Sequence, residues 1–150
     1  MCPQYQTAAE LEASLSKDAA SQKSALDYRD EGLQAFAAQH LRVARTADAI
    51  TDVAVFRDVD GARRAVASFP SNGGGAQARA FAVPGVPGAL GVDFVNKGQL
   101  VGRNVEFQVG PYAYTLGFAP ADSQSAQQPS ERATADAAAA WYRKVQQLSS

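Results

Sequence analysis

Val105-Glu-Phe-Gln-Val-Gly-Pro-Tyr-Ala-Tyr-Thr-Leu-Gly-Phe118 is the stretch that decides the fold class of this chain. Apolar and polar residues alternate as far as Val109, Gly110-Pro111 interrupts them, and the alternation resumes to Phe118. A period of two is that of a strand with one buried face, and Gly-Pro between two such runs is a turn signal. The stretch therefore predicts an antiparallel hairpin with Val105, Phe107, Val109, Tyr112, Tyr114, Leu116 and Phe118 inward. Glu106 is expected on the solvated face with Gln108 beside it and Arg103 nearby. Beyond a Pro/Ser/Gln loop from Ala119 to Ser130, the segment Ser130-Glu-Arg-Ala-Thr…Ala-Trp141-Tyr-Arg-Lys-Val145 predicts a capped helix. Its spacing presents Ala133, Ala137, Trp141, Val145 and Leu148 as the face that covers the sheet.

Working back from the hairpin, Asn96-Lys-Gly98 supplies a second tight turn after an extended Gly91–Val95. Ala78 to Val83 reads as a strand, followed by a non-helical crossing, Val83-Pro-Gly-Val-Pro-Gly88. Asp58 is placed to cap a helix through Ala62, Ala65, Val66 and Phe69 that Pro70 closes. Asp52-Val-Ala-Val-Phe-Arg57 has apolar residues on both sides, the mark of a strand covered on two faces. Further back, Leu33, Phe36, Ala37, Leu41 and Ala44 follow amphipathic helical spacing. Thr7 and Glu10 have the spacing of a capping box, opening a helix on which Leu11 and Leu15 share a face. The expected fold class is α+β: an antiparallel sheet of four or five strands packed against helices, with a helical N-terminal segment. Residues 1–28 read as a tether and peripheral helix, and residues 29–150 as one α+β domain.

At 46% hydrophobic content the chain can form a real core, since proteins of this length bury about 70% of their unfolded surface. Fourteen basic against fifteen acidic side chains leave a net charge of −1, against the basic excess of a nucleic-acid binder. Cys2 is the only cysteine, which excludes an intrachain disulfide, a CxxC redox pair and a thiolate zinc cluster.

Chemical motifs are sparse. His40, the only histidine, has no His or Cys one helical turn away, so neither a triad nor a His-based metal site is built around it. Asp58-Val-Asp60-Gly begins like a calcium loop, but Phe69 stands where the closing Glu is required. Gly73-Gly-Gly75 lacks the Lys-Ser/Thr ending of a phosphate-binding loop. No metal and no cofactor is expected. An acid pair remains conceivable as a carboxylate-dependent hydrolase site, with Glu106 facing Asp93 across the sheet and Arg103 alongside. The aromatic residues offer a different site: Tyr112, Tyr114 and Trp141, with Glu106, could line a small apolar ligand site between sheet and terminal helix.

The runs Val-Phe-Arg-Asp…Gly-Ala-Arg-Arg-Ala-Val, Val-Pro-Gly-Val-Pro-Gly-Ala, Val-Glu-Phe-Gln-Val-Gly-Pro-Tyr-Ala-Tyr and Ala-Ala-Trp-Tyr-Arg-Lys-Val together resemble a diffuse group of actinobacterial extracytoplasmic lipoproteins and sensor-like domains. The resemblance spans Val53–Val145. It implies a non-catalytic binding or envelope-associated module and carries no functional residues across. Cys2 matches the position of a lipidated residue left after signal-peptide removal, so a lipid anchor is the expected route to a membrane; no apolar run is long enough to span one. The leading expectation is a non-enzymatic exported cell-envelope module that binds a protein or small apolar ligand and no nucleic acid. The alternatives are the carboxylate hydrolase and a structural protein that forms homo-oligomers through the marginal helix Thr7–Ser24.

Overall fold

The computed structural model describes residues 4–7, 10, 28–43, 47–72, 76–120 and 129–148. Seven strands form one sheet: β1 (Gln4–Thr7), β2 (Leu33–Val43), β3 (Ala47–Phe56), β4 (Gln77–Phe81), β5 (Leu90–Asn96), β6 (Gln99–Val109) and β7 (Tyr112–Pro120). Their order is β1-β2-β3-β7-β6-β5-β4, and every neighbouring pair is antiparallel. Helix α1 (Val59–Ser68) follows β3 and helix α2 (Glu131–Leu148) follows β7. Both expected hairpins form. Val105 pairs with Leu116 and Phe107 with Tyr114 around the Gly110 turn. Lys97 and Gly98, at φ 50° and 80°, close β5–β6 in the left-handed region that Asn-x-Gly turns require.

The expected sheet of four or five strands behind a helical N-terminus is corrected to seven strands and little helix. The error lies mainly in β2. Its helical spacing is real, but Ala35 and Ala37 take one face of the sheet while Phe36 and Ala38 take the other. Alanine prefers helix by only tenths of a kcal/mol over most residues. Hydrogen-bond ladders to both β1 and β3 outweigh that preference. Gln4–Thr7, within the stretch read as a tether, supplies the edge strand. The capping box beside it is present: Thr7 N donates to Glu10 Oε2 at 2.8 Å and Glu10 N donates to Thr7 Oγ1 at 3.2 Å. The helical run from Leu11 to Ser24 lies outside the described residues, as does Cys2.

The sheet is covered on both faces. On the α2 face, Val105, Phe107, Leu116 and Phe118 pack against Ala138 and Ala139, with Val86 of the β4–β5 connection. Trp141 and Tyr142 meet Phe107 edge-on at 5.5 and 5.7 Å. The helix is rotated from the expected face: Thr134, Ala135, Ala138, Ala139 and Val145 are buried, whereas Ala133 and Ala137 are exposed and Leu148 is 81% exposed. Alanine carries too little apolar weight to fix a helix's rotation. The large Trp141 and Tyr142 rings and the close-packing Ala138–Ala139 pair fix it instead.

On the α1 face, Ala62, Ala65 and Val66 cover Phe56 and Ala113. Asp58 caps α1 as expected, its Oδ1 accepting from Gly61 N at 2.7 Å. Gly61 also admits a close neighbour, because a Cβ there would overlap the Glu31 carbonyl. That contact sets residues 28–33 beside α1, where Tyr28 meets Phe56 edge-on.

Candidate functional site

Helix α2 covers the β6–β7 part of its face and leaves β1–β3 beside it. There Thr7 of β1, Ala35 and Ala37 of β2, Thr51 and Val53 of β3, and Trp141 of α2 line a groove of about 670 Å³. The register explains its depth. Thr7 lies opposite Ala35, and Ala37 opposite Val53, so the floor beside Trp141 is built from short side chains. The volume lies within the roughly 300–1,000 Å³ typical of ligand pockets, which are mostly apolar with a few polar groups. Gln6, Glu10 and Gln39 provide such groups here.

The wall beside the groove is aromatic. Tyr114 stacks on Phe107 at 5.2 Å, meets Trp141 edge-on at 5.4 Å, and lies 6.4 Å from Tyr112, which is 40% exposed. Burial first, then the neighbouring Tyr112, pushes the Tyr114 hydroxyl above its ordinary range. The structure thus brings together three of the residues named from sequence, Tyr112, Tyr114 and Trp141. It places the fourth, Glu106, on the opposite face of the sheet.

Glu106 is not solvated, which corrects the expectation for it. Only 3% of it is exposed, under the cover of the α1 face. The register sets Asp52, Thr115 and Glu106 side by side on β3, β7 and β6. The Thr115 hydroxyl lies between the two carboxyls and acts to lower both, and Glu31 approaches from the segment before β2. Burial pushes the Asp52 carboxyl up to about 7, and the Thr115 hydrogen bond recovers only part of the shift. Burial, then the charges of Asp52 and Glu31, raise the Glu106 carboxyl well above its usual value. Sequence reading missed Asp52, Thr115 and Glu31. The available signal was Asp52 itself, a carboxylate beginning a run whose apolar residues on both sides marked a strand covered on two faces.

Asp93 and Arg103 belong to a different assembly, on the α2 face. Arg103 Nε and Nη2 donate to Asp93 Oδ1 and Oδ2 at 2.6 and 2.8 Å, and Arg79 Nη2 donates to Oδ2 at 2.8 Å. Arg103 Nη1 reaches the Pro129 carbonyl at 2.6 Å and its guanidinium lies 5.7 Å from the centre of the Phe81 ring. Arg79 also meets Glu131 at 3.2 Å, so the cluster ties the start of α2 to the sheet. Burial acts to raise the Asp93 carboxyl, but hydrogen bonds from Arg103 and Arg79, with their charges, outweigh it and hold the group low. The acid pair imagined between Glu106 and Asp93 does not form, because the two point to opposite faces. Asp58 serves as a helix cap. His40 sits on β2 opposite Ile50 rather than on a helix. Among the described residues, no group of three His, Cys, Asp or Glu side chains is arranged to hold a metal ion.

No protein-family model matches the sequence, and no curated protein sequence matches it. Among solved structures, the extracellular domain of PknH from Mycobacterium tuberculosis is similar in fold, with a TM-score of 0.54 at 13% identity. The match covers 96% of this chain and 84% of that one. At this identity the likeness is one of fold. Among the described residues, no helix is long and apolar enough to cross a membrane.

Proposed function

We propose that this chain is a non-enzymatic, extracytoplasmic binding module that takes a small apolar ligand in the groove beside Trp141. The observation that carries the reading is the groove itself: about 670 Å³ over β1–β3, floored by alanine and valine, with Phe36 and Trp141 also in its lining. Such a space gains from burying an apolar molecule at roughly 25 cal/mol per Å² of surface removed from water. Its few polar groups are suited to orienting a ligand rather than transforming it. The extracytoplasmic setting draws support from the shared fold with an extracellular domain. The hydrolase alternative loses its residues, since Asp93 is locked between two arginines and Glu106 is buried on the other face.

An apolar fluorescent probe, anilinonaphthalene sulfonate, tests the reading by equilibrium titration. Saturable binding at one site is expected in the native chain. Ala37→Phe, which fills the groove floor, should weaken it at least about tenfold without altering the circular dichroism spectrum. Equal binding by a folded Ala37→Phe chain would overturn the assignment.

A further inference from the structure

On the face opposite the groove, the register places two carboxyls on either side of one hydroxyl: Asp52, Thr115 and Glu106 on three adjacent strands. A threonine hydroxyl carries one hydrogen, and the register seats it between the two carboxyls. If both were ionised, that hydrogen would satisfy one, and the other would face only oxygen lone pairs. A proton on one carboxyl completes the chain, running from the acid O–H to Thr115 Oγ1 and from the Thr115 hydroxyl to the second carboxylate. A second observation points the same way. Glu106 Oε2 is buried with no hydrogen-bond partner among the described residues, an arrangement that costs far less for a neutral acid than for an anion.

Glu31 closes the row and is its one member that does not sit on a strand. Its Oε1 accepts from Ser68 Oγ at the end of α1 at 3.1 Å, and its carbonyl lies against Gly61. Arg57 N donates to the Gly32 carbonyl at 2.9 Å, fastening the same segment to the end of β3. Among the described residues, those of α1, β2 and β5 that pack on this face bring no facing charge. Helix α1 turns Gly61, Ala62, Ala65 and Val66 inward and leaves Asp60, Arg63 and Arg64 exposed. β5 places Leu90 opposite Glu106 and β2 places Ala38 opposite Asp52. Beside Tyr28, Arg29 and Asp30 are exposed. His40 holds the β2 position opposite Ile50.

We propose that the Asp52–Thr115–Glu106 row, closed by Glu31, is a proton-holding latch that keeps residues 28–33 and α1 seated on the sheet and releases them when its proton leaves. Loss of the proton puts neighbouring negative charges in a buried row. Asp52 and Glu106 are fixed by strand pairing, so Glu31 and its segment are the part that moves. The latch makes the exported module responsive to external pH, independently of what the groove binds.

Hydrogen–deuterium exchange on the full chain tests this at roughly pH 5.5 and 8.5, with rates corrected for intrinsic exchange. Peptides covering residues 28–36 and 59–69 should exchange at least about tenfold faster at the higher pH, while the 105–118 hairpin stays protected. A double variant, Asp52→Asn with Glu106→Gln, should keep the first two peptides protected at both values, and His40→Asn should behave like the native chain. Protection independent of pH overturns the latch. So does loss of protection across the whole sheet, an unchanged response in the double variant, or a response abolished by His40→Asn. If the double variant does not fold, difference infrared spectroscopy of the native chain decides: a protonated-carboxyl band present at about pH 5.5 and gone by about 8.5 supports the latch, and its absence at the lower pH overturns it.

Discussion

Replacing Asp52 by asparagine should make the stability of this domain less dependent on pH, and the structure sets the size of the effect. The Asp52 carboxyl moves from an ordinary 3.8 to about 7 in the fold, a gap of about three units worth roughly 4 kcal/mol at about 1.36 kcal/mol per unit. The sign follows from which state holds the proton. Between those two values the folded chain binds it more tightly than the unfolded chain, so stability falls as pH rises through the window. The contribution is fully present below about pH 4, is lost progressively, and is gone above about pH 7. Between roughly pH 5 and 8 the native chain should therefore lose about 2.5 kcal/mol through this group alone. The asparagine amide cannot ionise, so the Asp52→Asn variant should lack that part of the slope and be the more stable protein at about pH 8. Urea denaturation followed by circular dichroism at closely spaced pH values reads the difference directly. Equal slopes in the two proteins, or a native stability that rises through the window, would refute the reasoning.

The other face carries the opposite sign. Asp93 is held low by its arginines, so its contribution is present above the usual carboxylate range and lost as pH falls below about 4; Asp93→Asn should remove that acid sensitivity in the same urea series. Asp93→Asn also leaves Arg103, only 7% exposed, without its bidentate partner, at a cost of about 3–5 kcal/mol by the same measurement. Phe107→Ala empties the fully buried site among Tyr114, Trp141 and Tyr142 and should cost about 3–5 kcal/mol. Gly98→Ala forces a side chain into the left-handed turn at φ 80° and should cost about 1–2 kcal/mol, seen as a lower thermal midpoint with an unchanged spectrum.

Segments whose local pattern and tertiary role agree were legible in the sequence. The 105–118 hairpin, the Asn96-Lys-Gly98 turn, the Asp58-capped helix and the position of α2 all have strong local signals that the fold uses unchanged. Leu33–Val43 was not legible. Its alanines satisfy a helical period and a strand period equally well, and only the presence of β1 and β3 on either side decides between them. The burial of Glu106 was hidden for a related reason. Alternation within β6 shows which residues share a face, but not that both faces are covered, and that coverage comes from α1 and residues 28–33 far along the chain. Tyr112, Tyr114 and Trp141 could be grouped from sequence because large aromatics on one strand face and one helix tend to meet. The groove itself could not, because it is made by alanines on β2, a strand that sequence had assigned to a helix.

Trp141, the single tryptophan of the chain, lines the groove, so its own emission tests the binding assignment most directly. Titration with a medium-chain fatty acid should shift and saturate that emission in the native protein and leave it unchanged in folded Ala37→Phe. An emission that does not respond while the fatty acid is shown to bind by calorimetry would place the ligand elsewhere and contradict the account.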